Sequence, residues 1–270
     1  MRYLLIISLL LINLSCEDLA LNKNADLVVV EAYLSDQIVE QQITLSRTTS
    51  FDNAVISEPI ATADVSVVSG KNVLVEFVHS SDGVYLSSQP FAGIENEEYR
   101  LIINLEDDIL ITSAFISMPG KAKIDSLWFE PIEITNNDSE EMYYPVISST
   151  DNFLMNNFYY YRLFQDGVYL DEPENIFLKS DGFFNGNTFN EEFRSVSITR
   201  GESVKLEMRK ISREVFDYYK LLKAQTISIS ANQNVVPAPI FGNLSASNSE
   251  IVLGFFSVFS SDTKTQTLDK

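Results

Sequence analysis

The sequence predicts a mainly β protein built from two sandwich-like domains, immunoglobulin- or transthyretin-like, with one amphipathic helix in the second. Three observations lead there. Apolar and polar residues alternate with a period of two over most of the chain beyond Leu27. Asp, Asn and Gly interrupt that alternation at roughly the 8–12-residue spacing of a sandwich. Only one stretch, Ser212 to Thr226, carries its apolar residues at helical spacing.

In the first half, Val28, Val30, Ala32 and Leu34 share one strand face, and Val39, Ile43 and Leu45 alternate with polar neighbours. Asp64 to Ser69 and Val73 to His79 follow, joined by Ser69-Gly70-Lys71-Asn72. Ser81-Asp82-Gly83 predicts a hairpin turn, because Asp-Gly tolerates positive φ. Tyr99, Leu101, Ile103 and Leu105 alternate again before Ile109 to Ile116. These strands define an N-terminal sandwich over residues 26–118, and Met118-Pro119-Gly120-Lys121 reads as the boundary.

The second domain, residues 121–270, opens with a strand near Ile124 to Phe129 and continues through an acidic loop from Glu133 to Glu141. Strands are expected at Phe158 to Phe164, Phe193 to Ile198, Val204 to Met208 and Ile251 to Phe259. Between the last two lies the helix, about residues 212–226, with Val215, Tyr219 and Leu222 on one face. Ser212 is placed to cap it, Glu214 suits its positive end, and Lys220 and Lys223 suit its negative end.

Residues 1–15 read as a signal peptide, with Arg2 ahead of a short apolar run from Leu4 to Ile12. That run is too short for a bilayer, which takes ~20 residues. The only cysteine, Cys16, follows at once. A lipoprotein signal requires a thiol there, since it accepts a diacylglyceryl group. Leu14 and Ser15 fit the pattern, whereas Asn13 departs from the Leu or Val usual at its place. The reading is therefore a lipid-anchored, palmitate-bearing protein with residues 16–25 as a tether; the alternative is an ordinary secretory signal. With Cys16 lipidated, no disulfide framework remains.

Loss of Arg2 takes the formal charge from −19 to −20. So acidic a surface repels nucleic acid and anionic headgroups. His79 is the only histidine, at the end of a strand beside a turn, so a Ser-His-Asp or Cys-His catalytic set has almost nothing to draw on. His/Cys zinc sites cannot be assembled, and no cofactor fingerprint is present; the lipid on Cys16 is the one group expected. Carboxylates are abundant, but Glu95–Glu98, Glu106–Asp108, Asp138–Glu141 and Asp171–Glu174 all fall in predicted turns. Asp181, Asn185 and Asn187 form an oxygen-rich, Gly-punctuated loop that reads either as a calcium site or as a turn using positive φ. Aromatic runs occur at Tyr143-Tyr144, Tyr159-Tyr160-Tyr161, Phe183-Phe184 and Tyr218-Tyr219. Where such a run lies in a strand, neighbouring rings face opposite sides, which reads either as core and rim of a sandwich or as an exposed ring for a sugar or a protein interface.

Several short segments carry a family resemblance in their order. They are Asp26 to Ala32 after the cysteine, Gln42 to Ser46, Gly83-Val84-Tyr85, Glu98 to Leu101, Lys123 to Leu127, Asp181-Gly182, the Tyr218-Tyr219 helix and Leu253-Gly254-Phe255-Phe256. Together they resemble a large family of Bacteroidetes lipoproteins whose domain is of unknown function. The family's usual approach to its C-terminal ending is replaced here by Phe241-Gly242-Asn243-Leu244 and Ser245 to Asn248. The genes of that family typically neighbour TonB-dependent receptors. The resemblance implies an outer-membrane lipoprotein acting as an accessory or ligand-capturing subunit of a transporter, without catalytic residues. Glu17-Asp18 resembles the acidic signal for surface exposure. The competing readings are a carboxylate-dependent polysaccharide-active enzyme and a structural or adhesive surface lipoprotein.

Overall fold

A computed structural model describes residues 27–48, 57–106, 108–133, 141–150, 157–182, 186–230, 238–248 and 250–269. The expected signal peptide, Cys16 and the expected tether lie outside these residues. The chain is mainly β, with large sheets and one α-helix among the described residues. The first half supplies β1 (Val28–Ser35), β2 (Gln42–Arg47), β3 (Glu58–Pro59), β4 (Ala63–Ser69), β5 (Leu74–Ser81), β6 (Val84–Ser87), β7 (Glu98–Leu105), β8 (Leu110–Ser113) and β9 (Ile116–Ser117). The second supplies β10 (Ser126–Pro131), β11 (Tyr143–Thr150), β12 (Phe158–Gln165), β13 (Val168–Tyr169), β14 (Phe177–Ser180), β15 (Thr188–Glu192), β16 (Ser203–Ile211), α1 (Arg213–Ser230), β17 (Leu244–Ala246) and β18 (Val252–Thr267).

The main sheet runs β13-β12-β16-β18-β1-β2-β6-β5-β4-β7-β8-β17, and β10-β11-β15 form a separate three-stranded sheet. Strand β18 joins the two halves. Its first part pairs in parallel with β1 (Val28↔Val252 to Ser35↔Phe259), and its second part pairs antiparallel with β16 (Ser203↔Thr267 to Lys210↔Ser260). The final segment thus contributes Val252, Phe256 and Val258 to the first core, beside Val30, Leu34 and Ile43. The chain between the halves is tied to the same strand: Ser260 Oγ donates to Gly120 O (2.8 Å) and accepts from Ala122 N (3.0 Å). Asp262 Oδ2 accepts from Ile124 N at 2.7 Å.

Two glycines permit this junction. Gly254 has φ +91°, and a Cβ there would lie 1.9 Å from Val30 O. A Cβ on Gly242 would lie 1.8 Å from Gly254 O, so the backbones of the two Gly-containing segments press together. The β5–β6 turn uses positive φ at Asp82 and Gly83, as Asp-Gly predicts.

A second core packs Ile147, Tyr161, Phe193 and Leu206, and a third cluster packs α1 on the sheet through Tyr160, Ile211, Val215, Tyr219, Phe255 and Phe259. Ser212 caps α1: Val215 N lies 3.4 Å from its Oγ. The helix runs on to Ser230, beyond the expected 226. In its last turns the Thr226, Ser228 and Ser230 hydroxyls bond back to carbonyls four residues earlier, so these residues turn their side chains onto the helix instead of ending it. Lys220 and Lys223 therefore sit within the helix rather than at its negative end. Lys223 Nζ instead docks on Ile176 O at 2.7 Å.

One strand is misplaced by periodicity. Phe193, Val196 and Ile198 are buried, but Val196 N closes on Phe193 O at 3.0 Å, so this segment is a turn whose apolar residues face the core. The strand is β15, just before it. Strand β11 goes unsignalled because Pro145 sits in the middle strand of its sheet, paired with Phe129.

Candidate functional site

The face where β12, β16, β18 and β1 lie side by side forms the floor of a cleft of about 490 Å³. The alternation that buries Leu163, Leu206 and Met208 beneath the sheet turns Tyr160, Arg162, Glu207 and Arg209 to the other side. Register sets Arg162 opposite Glu207 and Tyr160 opposite Arg209. Strand β1 adds Tyr33, α1 adds Tyr219, the β12–β13 hairpin adds Tyr169, and residues 37–42 form one wall.

Glu207 is held by both arginines. Arg209 gives it Nε to Oε1 at 2.8 Å and Nη2 to Oε2 at 3.2 Å, and Arg162 Nη1 reaches Oε2 at 3.3 Å. The guanidinium groups also lie on aromatic rings, Arg162 over Tyr169 and Arg209 over Phe259, each 4.4 Å from the centroid. Burial pulls the Arg162 pKa down, but Glu207 and the Tyr169 hydroxyl outweigh it and hold it above its usual value.

The tyrosines are ordered in pairs. Tyr160 OH and Tyr169 OH are 2.8 Å apart, Tyr33 OH and Tyr219 OH 3.3 Å, and the Tyr160 and Tyr219 rings stack at 4.4 Å. Burial raises the pKa of Tyr33, Tyr160 and Tyr219, and pushes Tyr218 beside them up to about 12. Gln41 fixes the wall: it is 3% exposed, and its side chain bonds Ser35 N (2.9 Å) and Phe91 O (2.6 Å).

The residues singled out from sequence do not all meet here. Tyr160 and Tyr219 do, while Tyr159 and Tyr161 face the second core, as alternation requires. Phe183-Phe184 lie outside the described residues. His79 packs edge-on against Tyr85 (centroids 5.3 Å apart), and its Nε2 has no hydrogen-bond partner among the described residues. Asp181 is buried and accepts from Asn157 N at 2.7 Å and Asn157 Nδ2 at 3.1 Å, which ties down the start of β12. Asn187 is exposed, and Asn185 lies outside the described residues. No group of three or more His, Cys, Asp or Glu side chains suited to a metal occurs among the described residues.

The acidic runs are dispersed. Glu97 pairs with Lys71, Glu141 with Arg200 at 2.9 Å, and Glu174 lies in a short 3₁₀ turn. Residues 134–140 and 107 lie outside the described set. Arg162, Glu207 and Arg209 were not anticipated. The signal was present in Lys205-Leu206-Glu207-Met208-Arg209, where three charges share the face opposite two buried residues, but only the pairing with β12 makes it a site. No described helix is long and apolar enough to cross a membrane.

A family model described as DUF4249, a domain of unknown function, matches residues 17–265. The match takes in nearly all of the chain after Cys16, and the chain belongs to that family. No curated protein matches it.

Proposed function

We propose that this DUF4249 member is a non-enzymatic lipoprotein of the Bacteroidetes outer membrane, anchored through Cys16 and serving a TonB-dependent transporter as an accessory, ligand-capturing subunit. The observation that carries the reading is the cleft on the shared face of β12, β16, β18 and β1, with its arginines and paired tyrosines. Its volume falls in the ~300–1,000 Å³ usual for small-ligand sites. It sits on strand faces fixed by ladders on both sides, so its side chains are preorganised.

Its one embedded carboxylate, Glu207, is engaged by two guanidinium groups, which argues against a free general base or nucleophile there. The anchor reading rests on the apolar run ahead of the only cysteine. Ten residues lie between Cys16 and Leu27, a reach of at most about 40 Å, which would keep the cleft close to a neighbouring receptor's mouth.

The test is purification of the tagged chain from outer membranes in mild detergent. A stoichiometric TonB-dependent receptor in the eluate is the expected result. Recovery of the lipoprotein alone, where other receptor complexes survive, would sink the accessory role.

A further inference from the structure

We infer that the cleft takes a ligand through a single carboxylate group, seated against the Arg162 edge and the Tyr160–Tyr169 hydroxyl pair. This deepens the ligand-capturing reading above and rests on it. The chain carries a formal charge of −19, yet the floor of the cleft sets two guanidinium groups against one carboxylate. Glu40, the other charged residue at the cleft, stands exposed at its mouth, where water screens it.

The hydrogen-bond inventory points the same way. Arg209 gives Glu207 two hydrogen bonds, but Arg162 gives it only one, at 3.3 Å from Nη1, and hydrogen-bonds the Tyr169 hydroxyl as well. Most donors of the Arg162 fork therefore have no carboxylate to meet, and a guanidinium edge matches a carboxylate with two parallel N–H bonds. Each hydroxyl pair adds a proton. Between Tyr160 and Tyr169, and between Tyr33 and Tyr219, one hydroxyl donates to the other, so one proton of each pair is unspent. Burial keeps the Tyr160 and Tyr219 hydroxyls protonated. The floor of the cleft thus offers unspent donors while its own carboxylate is already paired, and the acceptors of the wall, Gln37, Glu40 and Gln42, stand exposed at the rim.

Aromatic stacking of a neutral sugar fits less well. One face of Tyr169 carries Arg162, one face of Phe259 carries Arg209, and Tyr160 lies against Tyr219. A carboxylate comes from two sources of suitable size, an acidic sugar or the C-terminus of a short peptide, and the experiment separates them.

Full-length protein purified in detergent is titrated calorimetrically with digalacturonate, its methyl ester, trialanine and trialanine amide. The expected result is that one free acid binds and its neutral counterpart binds at least tenfold more weakly. Digalacturonate alone binding assigns an acidic sugar, and trialanine alone assigns a peptide terminus. Arg162→Gln should weaken binding of that acid at least tenfold in a chain that stays folded at the assay temperature, since Arg209 still pairs with Glu207. Arg162→Lys, which keeps the charge without the fork, should recover part of it, and Tyr169→Phe should weaken binding with the ring retained. Equal binding of acid and neutral analogue, binding indifferent to Arg162→Gln, or no binding of any of the four overturns the proposal. A receptor that co-purifies while none of the four binds would leave the accessory role standing and remove only the carboxylate. Conversely, acid binding by a chain that purifies alone would remove only the receptor.

Discussion

Asn243 uses its side chain as a peptide group toward Phe256: its Nδ2 donates to Phe256 O at 2.8 Å, and its Oδ1 accepts from Phe256 N at 2.8 Å. Phe256 pairs with Ala32 of β1 on its other side, so this amide serves the edge of β18 that no strand among the described residues covers at that point. The neighbouring β17 hangs from β8, and the side chain therefore links the far edge of the first sheet to β18. Asn243→Ala strands one N–H and one C=O in a half-buried place, at a cost of about 1–3 kcal/mol. Denaturant unfolding should show that loss with the m-value unchanged. A difference under about 0.5 kcal/mol would mean that water replaces the amide at no cost.

Gly254 is the stricter requirement. Its φ of +91° and the 1.9 Å approach to Val30 O leave no place for a methyl group. Gly254→Ala should therefore break the β1–β18 parallel pairing, which both halves share, and give little folded protein on expression. Gly167, also at positive φ (+84°) but with nothing within 4 Å, is the control: Gly167→Ala should cost only about 1 kcal/mol, read by the same unfolding curve.

Glu207 is the hinge of the cleft's charge balance. Glu207→Gln leaves two partly buried guanidinium groups without their carboxylate, and breaking such a pair costs up to about 3 kcal/mol where water has some access. The melting temperature should fall by several degrees. An unchanged melting temperature would show that the pair contributes nothing net.

Two pH effects of opposite sign follow. Burial raises the pKa of Tyr160 and Tyr219 in the folded chain, and Tyr218 is pushed up to about 12. Their contribution is complete below the unfolded value of about 10 and is lost as pH rises through the folded values. Ultraviolet titration should show tyrosines ionising late in the folded protein and together on unfolding. The Lys71 ammonium holds the Glu97 pKa below its ordinary value. That stabilisation is complete above about pH 4.5 and is lost as pH falls through the folded value. Glu97→Gln should flatten the fall in melting temperature on the acid side. An acid limb that does not change would place the sensitivity elsewhere.

The strands of the first half were legible because each buries one face: Val28, Val30, Ala32 and Leu34 alternate cleanly, and β1 follows them. The helix was legible from Ser212 and the spacing of Val215 and Tyr219, both buried. Strand β11 was not, since Pro145 and a run of consecutive buried residues hide its period. The cleft was half legible. Alternation shows that Tyr160 and Tyr161 part company, and that Glu207 and Arg209 share a face. Bringing Arg162, Tyr33 and Tyr219 to them depends on the pairing of β12, β16, β18 and β1, which joins residues as far apart as Gln165 and Val204 or Val28 and Val252. Local pattern carries no information about such register.

The central claim is that one chain holds both a receptor and an acidic ligand, and native mass spectrometry of the complex extracted from its own membranes tests it most directly. The account predicts a one-to-one assembly of the lipidated chain with a TonB-dependent receptor. It also predicts a small carboxylic acid that leaves on activation and is missing when the chain carries Arg162→Gln. A lipidated chain that flies alone and empty, from membranes where other receptor complexes stay intact, would contradict it.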